Sequence, residues 1–137
     1  MTETILLSLG GSDPSGEAID HALAMAERHG GTVHALYVVD TGRYGEPALS
    51  SAEILVDDVE DQGHDLLRSI ADRGRERGVA VTTRCCHGRP NEELPAYAAR
   101  IGADTVVLGG RRLPGRVRRE LDRTADIVVP GAATVGR

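Results

Sequence analysis

The chain has 137 residues, enough for one domain with a sizeable core and too few for two. Its 21 acids outnumber its 16 basic residues, all of them arginine, and no run approaches the roughly 20 apolar residues that cross a bilayer. That balance argues against bulk nucleic-acid binding and against a membrane partner, and Met1 to Thr4, with Glu3 and no basic residue, is a poor signal peptide, so a cytoplasmic protein is expected.

In chain order, the apolar run TILLSL (4–9) predicts a buried strand that ends at Gly10 and Gly11. Asp13-Pro14 predicts a helix start, with Asp13 as N-cap and proline at the first helical position. Ala18, Ile19, Ala22, Leu23, Met25 and Ala26 recur at helical spacing until Gly30-Gly31. TVHALYVV (32–39) is rich in β-branched residues and predicts a second strand. A polar loop at about 40–51 precedes a long helix over about 52–77, with Leu55, Val59, Leu66 and Ile70 as its apolar stripe and Gly78 as its stop.

Residues 79–86 predict a third strand. A short helix follows over 91–101, with Asn91 as the cap that keeps Pro95 within the first turn. DTVVL (104–108) predicts a fourth strand, about 116–123 a basic helix, and 127–129 a short fifth strand before Pro130. Strands alternating with helices predict a single-domain α/β fold over 1–137, an open parallel sheet with helices on both faces.

Charge is unevenly distributed. The first 72 residues hold 14 acids and 3 arginines, the remaining 65 hold 7 acids and 13 arginines. Each arginine is a permanently charged fork suited to carboxylate or phosphate. Cys85 and Cys86 are adjacent, which is not a disulfide framework; as strand residues they face opposite sides. A metal site using them with His87 is not expected, because structural sites take four ligands.

Ligands of open parallel sheets bind at the carboxyl ends of the strands, where the strand order reverses. Two such ends carry paired glycines, Gly10-Gly11-Ser12 and Gly109-Gly110, the latter continuing through Arg111, Arg112, Leu113 and Pro114 to Gly115. If the first and fourth strands are neighbours, these loops face one crevice, each leading into a helix N-terminus that favours anions. The alternative is that the glycines only permit tight turns.

Residues 5–40 and 88–110, in that order and separated by a long helix, resemble the universal stress protein family over nearly the whole chain. The resemblance implies a five-stranded sheet of order 3-2-1-4-5, a Rossmann-like fold of the adenine nucleotide alpha hydrolase type. It also implies a nucleotide site at Leu9, Gly10, Val38, Gly109, Gly110, Arg112, Gly115 and Arg116. ATP-binding relatives carry Gly, two residues, Gly, about nine residues, then Gly and a hydroxyl residue. Here Gly109 matches the first position, Arg112 replaces the second glycine, and Gly115-Arg116 comes early with arginine where the hydroxyl belongs. Gly10 stands where those relatives have an aspartate.

The implied function is a non-catalytic stress-response protein. No cofactor is expected beyond ATP or AMP held weakly or not at all, and it would act as a homodimer through the C-terminal strand or through a further protein partner. The alternative is a sensor of a small anion or nucleotide such as phosphate or AMP. LGGSDPS (9–15) also resembles the pyrophosphate loop of ATP pyrophosphatases, but Leu9 and Pro14 replace its two serines, and the chain has no room for a substrate domain.

Overall fold

A computed structural model describes residues 3–9, 16–40, 50–109 and 113–130, and for 50–57 the backbone alone. The elements are β1 (Thr4–Leu9), α1 (Gly16–His29), β2 (Thr32–Asp40), α2 (Ser50–Glu76), β3 (Ala80–Gly88), α3 (Pro90–Ile101), β4 (Thr105–Leu108), α4 (Gly115–Asp122) and β5 (Asp126–Val128). All pairings are parallel and the strand order is β3-β2-β1-β4-β5, as the resemblance implied. The boundaries fall within two residues of those expected from the sequence.

Alternation along the strands divides the core into two layers. Ile5, Leu7 and Leu9 of β1 join Val33, Ala35, Tyr37 and Val39 of β2 against α1 and α2. Leu6, Leu36, Val38, Val106 and Leu108 meet Leu94 of α3 and Val117 and Leu121 of α4 on the opposite face. β1 and β4 therefore read as continuous apolar runs, since both of their faces are covered. Cys85 packs in the α1/α2 layer and Cys86 in the α3/α4 layer, so the two thiols do face opposite sides of the sheet.

Two helical expectations are corrected. α3 is capped by Arg89, without a side-chain cap bond, and Pro90 rather than Asn91 opens it. Proline at the first helical position is favoured because its missing amide would have had no partner. With the start moved back, Pro95 lies inside the helix and cannot donate to the carbonyl of residue 91. It is buried on the side of α3 that borders the cleft toward α4. In α2, Leu67 (3% exposed) and Ile70 (0%) form the buried contact, while Val59 and Leu66 pack at its margin. Leu55, and the expected Asp13 cap of α1, lie outside the residues whose side chains or structure are described.

Gly63 of α2 lies against the buried ring of Tyr37, and a Cβ there would stand 2.6 Å from Tyr37 Cδ1 and 3.0 Å from Cγ. Glu3 ties together the amino ends of the strands. Thr105 Oγ1 donates to Glu3 Oε2 at 2.7 Å, and His29 Nδ1 lies 2.7 Å from Glu3 Oε1. Asp104 Oδ2 accepts the Thr4 amide at 2.8 Å. The His29 and Thr105 hydrogen bonds hold the Glu3 carboxyl below its ordinary pKa.

Two predictions follow from these contacts. Gly63→Ala should destabilise the fold by about 1–3 kcal/mol, because overpacking of Tyr37 outweighs the ~1 kcal/mol that alanine adds to helix propensity. A denaturation midpoint equal to or above that of the parent chain would contradict it. Glu3 has a lowered pKa in the folded chain, so its contribution is complete above the model-peptide value of 4.5 and lost as pH falls through the folded value. The stability gap between the parent and Glu3→Gln should accordingly be constant near neutral pH and close in acid; a gap independent of pH would refute the assignment.

Candidate functional site

β1 and β4 are adjacent and in register from Ile5 opposite Thr105 to Ser8 opposite Leu108. The Gly109 amide extends the ladder by one bond, donating to the Ser8 carbonyl at 3.1 Å. The strand adjacency that the expected crevice requires is therefore present, while residues 10–12 and 110–112 of its two loops lie outside the described residues. β2 lies on one side of β1 and β4 on the other, so the strand order reverses here.

The candidate residues divide by position. Leu9 ends β1 with its side chain buried in the α1/α2 layer. Val38, near the end of β2, is buried in the α3/α4 layer. Only backbone groups of these two are thus directed along the rim. Gly109 is buried immediately after β4. Gly115 and Arg116 form the exposed first turn of α4. Gly10, Gly110, Arg111 and Arg112 lie outside the described residues.

α4 begins after Pro114, whose carbonyl accepts the Val117 and Arg118 amides at 3.0 Å each. No side chain caps this end, so the Gly115 and Arg116 amides have no intrahelical acceptor. Beside them an open cleft of about 370 Å³ separates α3 from α4, with Arg116, Asn91, Glu92 and Glu120 on its walls. Asn91 Oδ1 is buried there without a hydrogen-bond partner. The two carboxylates temper the attraction that Arg116 and the helix end exert on an anion.

The charge asymmetry of the sequence becomes a division between layers. Among the described residues, arginine ion pairs belong to the α1/α2 layer: Arg68–Asp65, Arg73–Asp20, Arg75–Asp72 and Arg77–Glu27. Arg116, Arg118, Arg119 and Arg123 pair with no described carboxylate. Internal neutralisation of this segment by the acidic half is therefore not found at Arg116. Nucleophilic chemistry at the cysteines is disfavoured by their surroundings. Burial pushes both thiols above their ordinary pKa, helped by Glu60 near Cys85 and Glu93 near Cys86.

Sequence reading missed three features. Asn91 read as a cap and is instead a wall of the cleft. Gly63 carried no signal of its own within the helical pattern. The Glu3 clamp joins residues 26 and 102 positions apart, and no local pattern carries such a contact.

Gly115 invites a specific test. Among the described residues a Cβ there would meet only Arg119 Nη1, at 3.4 Å. Gly115→Ala should therefore change stability by no more than about 0.5–1 kcal/mol, with the helix-propensity gain as the favourable direction. A larger loss in the denaturation midpoint would show that the turn itself requires glycine.

Comparison with known proteins bears on the same region. The universal stress protein family matches residues 1–132. A universal stress protein of Methanocaldococcus jannaschii is 32% identical over 129 residues, covering 93% of this chain and 76% of that protein. Among solved structures, a family member from Burkholderia pseudomallei is similar at TM-score 0.72 and 29% identity, over 93% of this chain and 94% of its own. One from Lactobacillus plantarum reaches TM-score 0.75 at 26% identity, over 93% and 96%. Two more distant structures share the fold: one in complex with cAMP (TM-score 0.59, 22% identity, 93% and 95% covered) and one from Arabidopsis thaliana with AMP bound (0.66, 15%, 96% and 94%).

Proposed function

The chain belongs to the universal stress protein family, and from that premise we propose that it is a non-catalytic stress-response protein with weak or absent ATP binding. Its ligand region is the rim formed by Leu9, Gly10, Val38, Gly109, Gly110, Arg112, Gly115 and Arg116. It acts as a homodimer through β5 and through contacts with protein partners.

The observation that carries this reading is the short connection between β4 and α4. β4 ends at Leu108 and α4 begins at Gly115, leaving residues 109–114 to cradle a phosphate chain. Occupancy at millimolar ATP requires about −4 kcal/mol. A helix N-terminus near the surface contributes only about 0.3–1 kcal/mol. Several amides would have to supply the remainder, and a connection of this length offers few. Dimerisation rests on the edge position of β5, with half-buried Ile127 and Val128. Apolar edge strands are readily paired by another chain.

A second reading is favoured by the unpaired Arg116 beside uncapped amides, and by the AMP and cAMP held by the two distant relatives. Here the ligand is a nucleoside monophosphate or a free phosphate, small enough for the short connection and held by charge-assisted bonds of about 1.5–3 kcal/mol.

Calorimetry with ATP, AMP and inorganic phosphate separates the two. The first reading expects ATP to bind more weakly than about 1 mM, and a low-micromolar constant overturns it. AMP binding tighter than ATP, weakened by salt and by Arg116→Gln, selects the second. Light scattering at micromolar concentration should report two chains; a mass of one chain removes the dimer.

A further inference from the structure

The sheet has two edges, and they differ in length. β5 has three residues, whereas β3 has nine and, among the described residues, pairs with β2 alone. Thr82, Thr83 and Arg84, at the middle of β3, are exposed. A free edge of this length presents a row of unpaired amides and carbonyls.

Each face of this edge has its own recess. Toward α2, a cleft of about 400 Å³ is lined by His64, Arg68, Thr83 and Cys85. Toward α3, a cavity of about 20 Å³ is lined by Arg84, Cys86, Tyr97 and Arg100, with Glu93 as its carboxylate. The Arg84 guanidinium lies 5.6 Å from the centre of the Tyr97 ring. Successive side chains of a strand laid along β3 would face alternately the cleft toward α2 and the Arg84 and Arg100 side chains above the water-sized cavity toward α3.

The recesses are lined by more cationic than anionic groups. Arg84 and Arg100 pair with no described carboxylate. Arg68 has only a loose partner, Asp65 at 3.8 Å, with both side chains about three-quarters exposed. An exposed pair of this kind contributes little and is readily exchanged. We infer that the β3 edge is a strand-addition site for an extended acidic segment of a partner protein, with Arg84 and Arg100 receiving its carboxylates on one face and Arg68 on the other.

A second copy of this chain is the less suitable occupant. Antiparallel pairing of β3 with itself lays α2 beside α2, and that helix carries eight acids against three arginines. Like charges on the two helices oppose that contact, whereas a single strand along β3 meets the recess linings, where Arg68, Arg84 and Arg100 stand against Glu93. The inference rests on the reading that the chain acts through partner contacts. It concerns the edge opposite β5, so dimer mass and peptide binding report on separate claims.

The probe is a labelled peptide of about ten residues repeating Glu-Glu-Val-Val, which puts carboxylates on both faces of a single strand, compared with its Lys-Lys-Val-Val counterpart. Anisotropy on the full chain should show binding of the acidic peptide only, weakening as salt rises. Hydrogen exchange should show new protection at amides within residues 80–88, which binding through side chains alone would not produce. The Arg84→Glu/Arg100→Glu variant should lose about tenfold or more in affinity for the acidic peptide and gain affinity for the basic one. That gain also demonstrates that the variant is folded; if the variant fails to fold, Arg100→Glu alone, on the exposed side of α3, should lose affinity in the same direction. Several outcomes overturn the inference: no binding of the acidic peptide at millimolar concentration, equal binding of both peptides, binding without new protection of 80–88, or amides of 80–88 already protected in the chain without peptide.

Discussion

β1 must satisfy its backbone on two sides at once. Its pairing with β2 on one side and β4 on the other joins the two halves of the chain into one sheet. Parallel neighbours require a crossover, and each crossover returns over a face of the sheet. α1 and α2 therefore cover one face and α3 and α4 the other, so β1 can consist of residues that are apolar on both sides. The same double pairing creates the reversal of strand order at Ser8, Leu108 and Gly109. The candidate site is a consequence of the central strand rather than an addition to it.

The arrangement of charge follows from the same layering. The acidic first half supplies α1 and α2, and the arginines at the end of α2 reach carboxylates within that layer, as Arg73 does with Asp20 and Arg77 with Glu27. Arg100 of α3 and Arg116, Arg118 and Arg119 of α4 sit on the other face and pair with no described carboxylate. They keep their charge directed at solvent, where it is available to a ligand or a partner. A chain that is acidic overall thus presents a cationic face, which net charge alone would not reveal.

The two edges of the sheet separate possible assembly functions. The β5 edge is short and lies next to half-buried apolar residues, while the β3 edge is long, polar and flanked by arginine on both faces. Contacts at one edge leave the other open, so self-association and partner recognition need not compete.

Most of the fold was legible because its signals are local. Apolar runs of strand length, helical periodicity in α1 and the terminating glycines Gly30 and Gly78, both at positive φ, each declare themselves within a few residues. The strand order came from resemblance, since alternation of strands and helices does not by itself specify which strands pair. The start of α3 was misplaced because Asn91 is a good cap by type; Pro90 could take the first helical position, and tertiary packing accommodated Pro95 inside the helix. By itself, then, the sequence determined the element order, the parallel class and the glycine-bearing strand ends, all set by short-range sterics and burial. Only the tertiary structure decided that Glu3 would clamp Thr105, that Gly63 would admit the Tyr37 ring, and that Arg116 would meet no carboxylate among the described residues. Those outcomes depend on which side chains are brought together across the fold, and that information is held in no single stretch of the chain.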